Sequence, residues 1–287
     1  MSGETVRLSH RAPFAAAELL DFLGTRAVPG IEERDDGSFR RSVRLAHGAA
    51  VIELTPRAGH VAARLWLDDP RDADDALERC RRLLDLHAEP SSIDAVLRAD
   101  PLLRPLVEAV PGRRVPGSVD GGELALRAVL GQQVSLAGAR TVAGRLVAEL
   151  GTPLERPVGA VTHLFPEPAA VAGVDPARLP MPRSRAACLT GLAASLASGE
   201  LRVEPGGDDV DTERRLLALP GIGPWTVAYV SMRALRDPDA FPASDLGVRR
   251  ALERLGRDGS LAAAARAAER WRPYRAYGAQ HLWGQLG

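Results

Sequence analysis

Between Thr212 and Leu252 the sequence reads TERRLLALPGIGPWTVAYVSMRALRDPDAFPASDLGVRRAL. Pro220-Gly221-Ile222-Gly223 joins two stretches of helical pattern, Thr212 to Leu219 and Pro224 to Leu235. Glycines permit a tight reversal and leave backbone N–H groups uncovered at the start of the second helix. Such a start attracts anions. A phosphate can approach because Gly221 and Gly223 present no side chain, and the helix dipole favours its charge by roughly 0.3 to 1 kcal/mol when exposed. Taken alone, the turn is more often a plain helix–helix connection whose glycines serve only conformation.

All 37 basic side chains are arginine, and there is no lysine. A guanidinium stays protonated and is not a nucleophile, so amine chemistry, Schiff bases included, is excluded. Any mechanism must run on carboxylates, hydroxyls, histidine or water. Cys80 and Cys188 lie far apart. They cannot form a four-ligand zinc or iron–sulfur site by themselves and read as small buried apolar residues. The six histidines, His10, His47, His60, His87, His163 and His281, show no HxxxH or HExxH spacing, and none is assigned to a metal.

The elements that must position these residues follow from composition and pattern. The 287 residues carry 37 acidic groups against the 37 arginines, and 45% are hydrophobic, which suits one large or two modest globular domains and excludes a disordered tail. No apolar run approaches the ~20 residues that span a bilayer. The start, MSGETVRLSH, lacks the features of a secretory signal, so a cytoplasmic address and no membrane partner are expected.

The first third reads as a small α/β unit. Ser38 to Leu45, Ala49 to Thr55 and His60 to Leu67 are antiparallel strand candidates, and Asp68-Asp69 introduces a helix that ends near His87. Ala88 to Gly122 looks like a linker with short helices. From Glu123 onward there is almost no strand pattern. A helix from Glu123 to about Leu130 breaks at Gly131-Gln132-Gln133-Val134, and Ser135 can cap a second that stops at Gly151. Pro-rich loops through Pro168 and Pro180 precede a helix around Arg183 to Ser198. Ser260 caps an alanine-rich run to Trp271, and Pro273 opens the last helix.

LPGIGPWTVAY followed by an Asp about twenty residues later resembles the hairpin, Gly/Pro loop and Asp signature of the helix-hairpin-helix (HhH-GPD) DNA glycosylase superfamily. RAVLGQQVSLAGA (Arg127 to Ala139), LLDLHAEP (Leu83 to Pro90) and RWRPYRAYGAQHLW (Arg270 to Trp283) are similar to parts of its alkylpurine branch, bacterial DNA-3-methyladenine glycosylase II. The resemblance covers nearly the whole chain. It implies an α+β fold: an N-terminal TBP-like antiparallel α/β domain over residues 1–87, then a mainly α-helical HhH-GPD glycosylase core over 88–287, with two lobes, a cleft and the hairpin at 219–226.

The same resemblance implies the site. Asp245 matches the catalytic carboxylate. Cleaving an N-glycosidic bond builds positive charge on the sugar, and a carboxylate beside C1′ stabilises that charge and can orient or deprotonate the attacking water. Asp245 could equally cap the helix Leu246 to Leu255, or Ser244 could take that place. Trp225 stands where bifunctional relatives carry their Schiff-base lysine, which implies a monofunctional hydrolase without lyase activity, and the cysteine cluster of iron–sulfur relatives is missing. Seven of the twelve aromatic residues lie in the last 63 positions. Among them Trp225, Tyr229 and Trp283 match pocket residues, as does Phe22 near the N-terminus, while Trp271 and Phe241 read as core. Such a slot holds a base made cationic by alkylation through cation–π attraction of ~0.5 to 2 kcal/mol.

For DNA, the resemblance implies contacts from Gly221, Ile222, Gly223, Thr226 and Arg249, with Gln133 as the wedge that fills the place of the flipped base. Arg249 and Arg250 either contact phosphate or are solvated. No cofactor is required. The carbonyls of Leu217, Leu219 and Ile222 would hold a structural Na+ or K+. The expected partner is double-stranded DNA with alkylated bases, bound by a monomer. Deaminated or etheno bases, or damage binding without catalysis, are the alternative readings.

Overall fold

Every second residue of His60–Leu67 is buried, namely Val61, Ala63 and Leu65, so one face of this strand is apolar. In the computed structural model, which describes residues 4–286, it joins a five-stranded antiparallel sheet. The strands β1 (Glu4–Ser9), β2 (Glu32–Asp35), β3 (Ser38–Arg44), β4 (Ala49–Arg57) and β5 (His60–Leu67) lie in the order β1-β5-β4-β3-β2. Helices α1 (Ala16–Thr25) and α2 (Ala73–Leu83) supply Leu20, Leu23, Ala76 and Cys80 to a core shared with Phe39, Ile52 and Leu54. Residues 1–3 and 287, the outer ends of the two expected domains, lie outside the described residues.

Three of the five strands are those expected. The edge strands β1 and β2 are not among them. β2 is Glu-Glu-Arg-Asp, with no apolar alternation. Its pairing with β3 is supported by ion pairs instead: Glu32 meets Arg41 at 3.0 Å and Arg127 at 2.9 Å, and Glu123 meets the same two arginines at 2.8 and 2.7 Å. Removing one member of such a buried set strands a charge, at a cost of about 3–5 kcal/mol. The set fastens the sheet to the helical part of the chain.

That part comprises α3 (Pro90–Ala99), α4 (Arg104–Ala109), α5 (Gly121–Leu130), α6 (Leu136–Leu150), β6 (Thr152–Val158), β7 (Val161–Leu164), α7 (Pro168–Ala172), α8 (Arg183–Ala197), α9 (Asp209–Ala218), α10 (Pro224–Val230), α11 (Leu246–Arg254), α12 (Leu261–Ala268) and α13 (Arg275–Trp283). Two cores organise it. One gathers Leu126 of α5, Leu146 of α6, Leu189 of α8 and Val230 of α10. The other gathers Leu97 of α3, Val107 of α4, Leu252 of α11, Ala264 of α12 and Leu282 of α13 around the fully buried Trp271. Phe241 packs edge-on against Trp271 at 5.6 Å, the core role expected of both. Tyr229 packs against both cores.

Several boundaries differ from the sequence reading. The β6–β7 hairpin lies where no strand is expected. Its first strand is mostly exposed and irregular, and the hairpin is tethered by Thr162 and His163 N–H groups to the Gly30 carbonyl at 2.8 and 2.9 Å. Pro168 starts a short helix. α9 begins at Asp209, because the Asp208 carboxylate accepts the Asp211 N–H. The last helix begins at Arg275 with Tyr274 as its cap, so Pro273 stands just outside it. α10 passes into a π-turn, Ser231–Leu235, which ends at Arg236 with φ +65°.

Candidate active site

Asp245 is the N-cap of α11: its Oδ1 accepts the Val248 N–H at 2.8 Å. Ser244 is therefore not the cap. The capping bond does not exhaust the carboxylate. Oδ1 also accepts the indole N–H of Trp283 at 2.8 Å, and Oδ2 accepts that of Trp225 at 2.7 Å. A carboxylate has about four acceptor positions, so three fixed donors hold its plane and leave one lone pair, on Oδ2, for a water or an electron-poor carbon.

The walls come from three elements. Trp225 and Tyr229, one turn apart on α10, stack at 5.3 Å with an interplanar angle of 14°. Trp283 at the end of α13 lies 6.3 Å from Tyr229. Phe22, on α1 of the N-terminal layer, stacks on Trp283 at 6.1 Å. Asp245 and the aromatics matched from sequence thus form one connected group.

Two arginines that the sequence reading did not single out complete the surroundings. The Arg26 guanidinium lies 3.6 Å from the centre of the Phe22 ring. Arg233 lies 5.2 Å from Phe22 and 5.3 Å from Tyr229, donates to the Tyr229 hydroxyl, and is anchored on the Pro116 carbonyl at 2.8 Å. Neither forms an ion pair among the described residues. Burial, with the Arg233 charge beside it, lowers Arg26 to about 10 despite Tyr229 and Asp245. Burial alone would raise the Tyr229 phenol, but Arg233 and Arg26 outweigh it and hold the phenol below its usual range. A signal for both arginines is present in the sequence: Phe22/Arg26 and Tyr229/Arg233 are i, i+4 pairs on helices.

The hairpin between α9 and α10 is as tight as its glycines require. Gly221 has φ +88°, and a Cβ there would stand 2.9 Å from Cys188 Cβ. Gly223 caps α10, and a Cβ at that position would meet nothing within 4 Å. Ile222 is buried in the core and anchors the turn. The Thr226 side chain is buried and its hydroxyl accepts from Gln132 at 3.0 Å, so only its backbone N–H is left for an incoming anion. Arg249 spends its Nε–H on the Gly259 carbonyl at 2.6 Å, bracing the loop before α12, and keeps only its terminal N–H groups for a phosphate. Gln133 is exposed with φ +57°. No hydrogen bond among the described residues reaches the Leu217 or Ile222 carbonyl, while that of Leu219 accepts the Ile222 N–H at 3.1 Å.

A glycine hairpin, an Asp twenty residues beyond its Trp and a connected group of aromatic rings around that Asp are together features of a class of DNA base-excision proteins. The chain belongs to the HhH-GPD superfamily of base excision DNA repair proteins, whose family model matches residues 126–274, and the AlkA N-terminal domain model matches residues 5–120. Among relatives, a probable bifunctional transcriptional activator/DNA repair enzyme AlkA of Mycobacterium tuberculosis is 49% identical over 98% of this chain and 57% of its own length. The chain thus spans little more than half of that relative. DNA-3-methyladenine glycosylase 2 of Escherichia coli is 31% identical over 96% of this chain and 95% of its own. A solved structure, 3-methyladenine DNA-glycosylase from Archaeoglobus fulgidus, shares the fold with a TM-score of 0.82 at 22% identity, covering 98% of this chain and 97% of that one. No helix among the described residues is long and apolar enough to cross a membrane.

Proposed function

We propose that the protein is a monofunctional DNA glycosylase that hydrolyses the N-glycosidic bond of alkylated purines, of the 3-methyladenine and 7-methylguanine type, in double-stranded DNA. The observation that carries this reading is the Asp245 carboxylate, gripped by the indole N–H groups of Trp225 and Trp283 with a position on Oδ2 left open. The flipped base enters the aromatic slot, and its alkyl-derived charge makes it a good leaving group. The C1′–N bond breaks and its electron pair leaves with the base. Asp245 stabilises the oxocarbenium ion electrostatically, water adds to C1′, and the water proton passes to the carboxylate, leaving an abasic site. With no lysine in the chain, no lysine imine forms to nick the strand.

Duplex DNA is held by the backbone N–H groups of Gly221, Gly223 and Thr226 and by arginine, with Gln133 as the wedge. The acceptor positions left on the Leu217 and Ile222 carbonyls fit a Na+ or K+ shared with Leu219; a bound ion would add positive charge beside a phosphate. The protein acts as a monomer.

A second reading is favoured by Arg26, a guanidinium beside Phe22 with no ion pair among the described residues: its donors suit the carbonyl oxygen of a neutral deaminated purine. Measuring the bases released from methylated and from deaminated duplexes separates the two. In the same assay Asp245→Asn is expected to abolish release of 3-methyladenine while duplex binding persists. Wild-type turnover by this variant would refute the assignment, and duplex retention without release by the wild type would favour a damage-binding role.

A further inference from the structure

We infer that Gln132 is a positioning residue that locks the loop bearing the wedge to the hairpin, so that gripping the DNA backbone and inserting Gln133 occur as one movement. This rests on the glycosylase reading above. Gln132 lies in the α5–α6 loop, and its Nε2 donates to the Gly221 carbonyl at 3.1 Å and to Thr226 Oγ1 at 3.0 Å. A carboxamide has two N–H groups, and both are engaged. The acceptors stand on either side of Gly223, one in the turn and one in the first turn of α10.

Both acceptors are themselves immobile. Gly221 is fixed in the left-handed region against Cys188, and Thr226 is only 2% exposed. One residue along, Gln133 has φ +57°, a conformation uncommon for a residue with a Cβ, and its side chain is exposed beside exposed Val134 and Leu136. The base of the loop is thus pinned to the phosphate-facing hairpin while its tip projects. A wedge on a loose loop would have to order that loop during insertion, an entropic cost that the pinned loop avoids.

The test compares one lesion in two duplexes, in a normal pair and opposite a missing partner base, where extrusion is easy. Under single turnover, Gln132→Ala should release the paired base roughly tenfold more slowly, as expected for losing two hydrogen bonds, and the unpaired base at the wild-type rate. A 2-aminopurine next to the lesion should lose its extrusion signal. Gln132→Met keeps the length without the donors and should behave alike, covering any loop disturbance by alanine. With Gln133→Ala already in place, Gln132→Ala should add little, since the two act as one unit. Equal slowing on both duplexes, or an unchanged extrusion signal, would overturn the inference. A wild-type protein that extrudes but releases no base would overturn the glycosylase reading and leave this coupling standing.

Discussion

Trp225 Nε1–H donates to Asp245 Oδ2 at 2.7 Å, across twenty residues of sequence, and Trp283 does the same to Oδ1 from the far end of the chain. The two rings therefore act on the carboxylate as donors as well as forming walls. Replacing either by phenylalanine keeps most of the wall and removes the N–H. A hydrogen bond to a charged group contributes about 1.5–3 kcal/mol, so Trp225→Phe and Trp283→Phe should each lower kcat by roughly ten- to a hundredfold. The double variant should lose less than the product of the two. Unchanged single-turnover rates in both would show that the contacts do not position Asp245.

Because Asp245 caps α11 with one oxygen, its structural contribution and the catalytic one proposed for it separate by substitution. Asp245→Asn keeps a capping acceptor, whereas Asp245→Ala should destabilise the fold by about 1 kcal/mol more, read from denaturant midpoints. Both should abolish base release. Equal stability of the two variants would contradict the capping role.

His281 on α13 is 1% exposed, and neither ring nitrogen has a partner among the described residues. Burial, with Arg113 nearby, lowers its pKa from the usual 6.5 to about 3. Between these values the unfolded chain binds a proton that the folded chain refuses, so stability falls as pH drops from 6.5 toward about 3. Thermal melts at about pH 7.5 and pH 5 should show this decline in the wild type and a shallower one in His281→Leu, with a difference of up to about 2 kcal/mol. Equal slopes would exclude this histidine as a source.

The hairpin glycines should respond differently. Gly221→Ala meets Cys188 at 2.9 Å with φ +88°, so it should lower the melting temperature. Gly223→Ala meets nothing within 4 Å and should leave stability nearly unchanged while weakening duplex binding, because its methyl group would stand at the proposed phosphate contact. Full duplex affinity in Gly223→Ala would place the anion elsewhere.

Much of the framework was legible because local chemistry marks it. The caps Ser135, Asp245 and Ser260 each accept a backbone N–H from the third residue of their helices, and the turn at Gly221 is written in its residue types. Among the elements that escaped, two lack periodicity: β2, whose four residues are all charged and whose partners lie on β3 and α5, and the exposed β6–β7 hairpin.

Sequence by itself determined most of the longer helices, the three central strands, the absence of an amine nucleophile, and the resemblance that singled out Asp245 and its aromatic neighbours. Tertiary structure alone decided what those residues do to one another. Phe22, Trp225, Asp245 and Trp283 sit on four elements scattered from α1 to α13, and only packing of the helical lobes against the sheet brings their rings and oxygens within contact. It also buried Thr226, tied the Arg249 Nε–H to the Gly259 carbonyl, and revealed Gln132 and Arg26. A side chain's partner across a hundred residues depends on which surfaces bury together, and no local pattern records that.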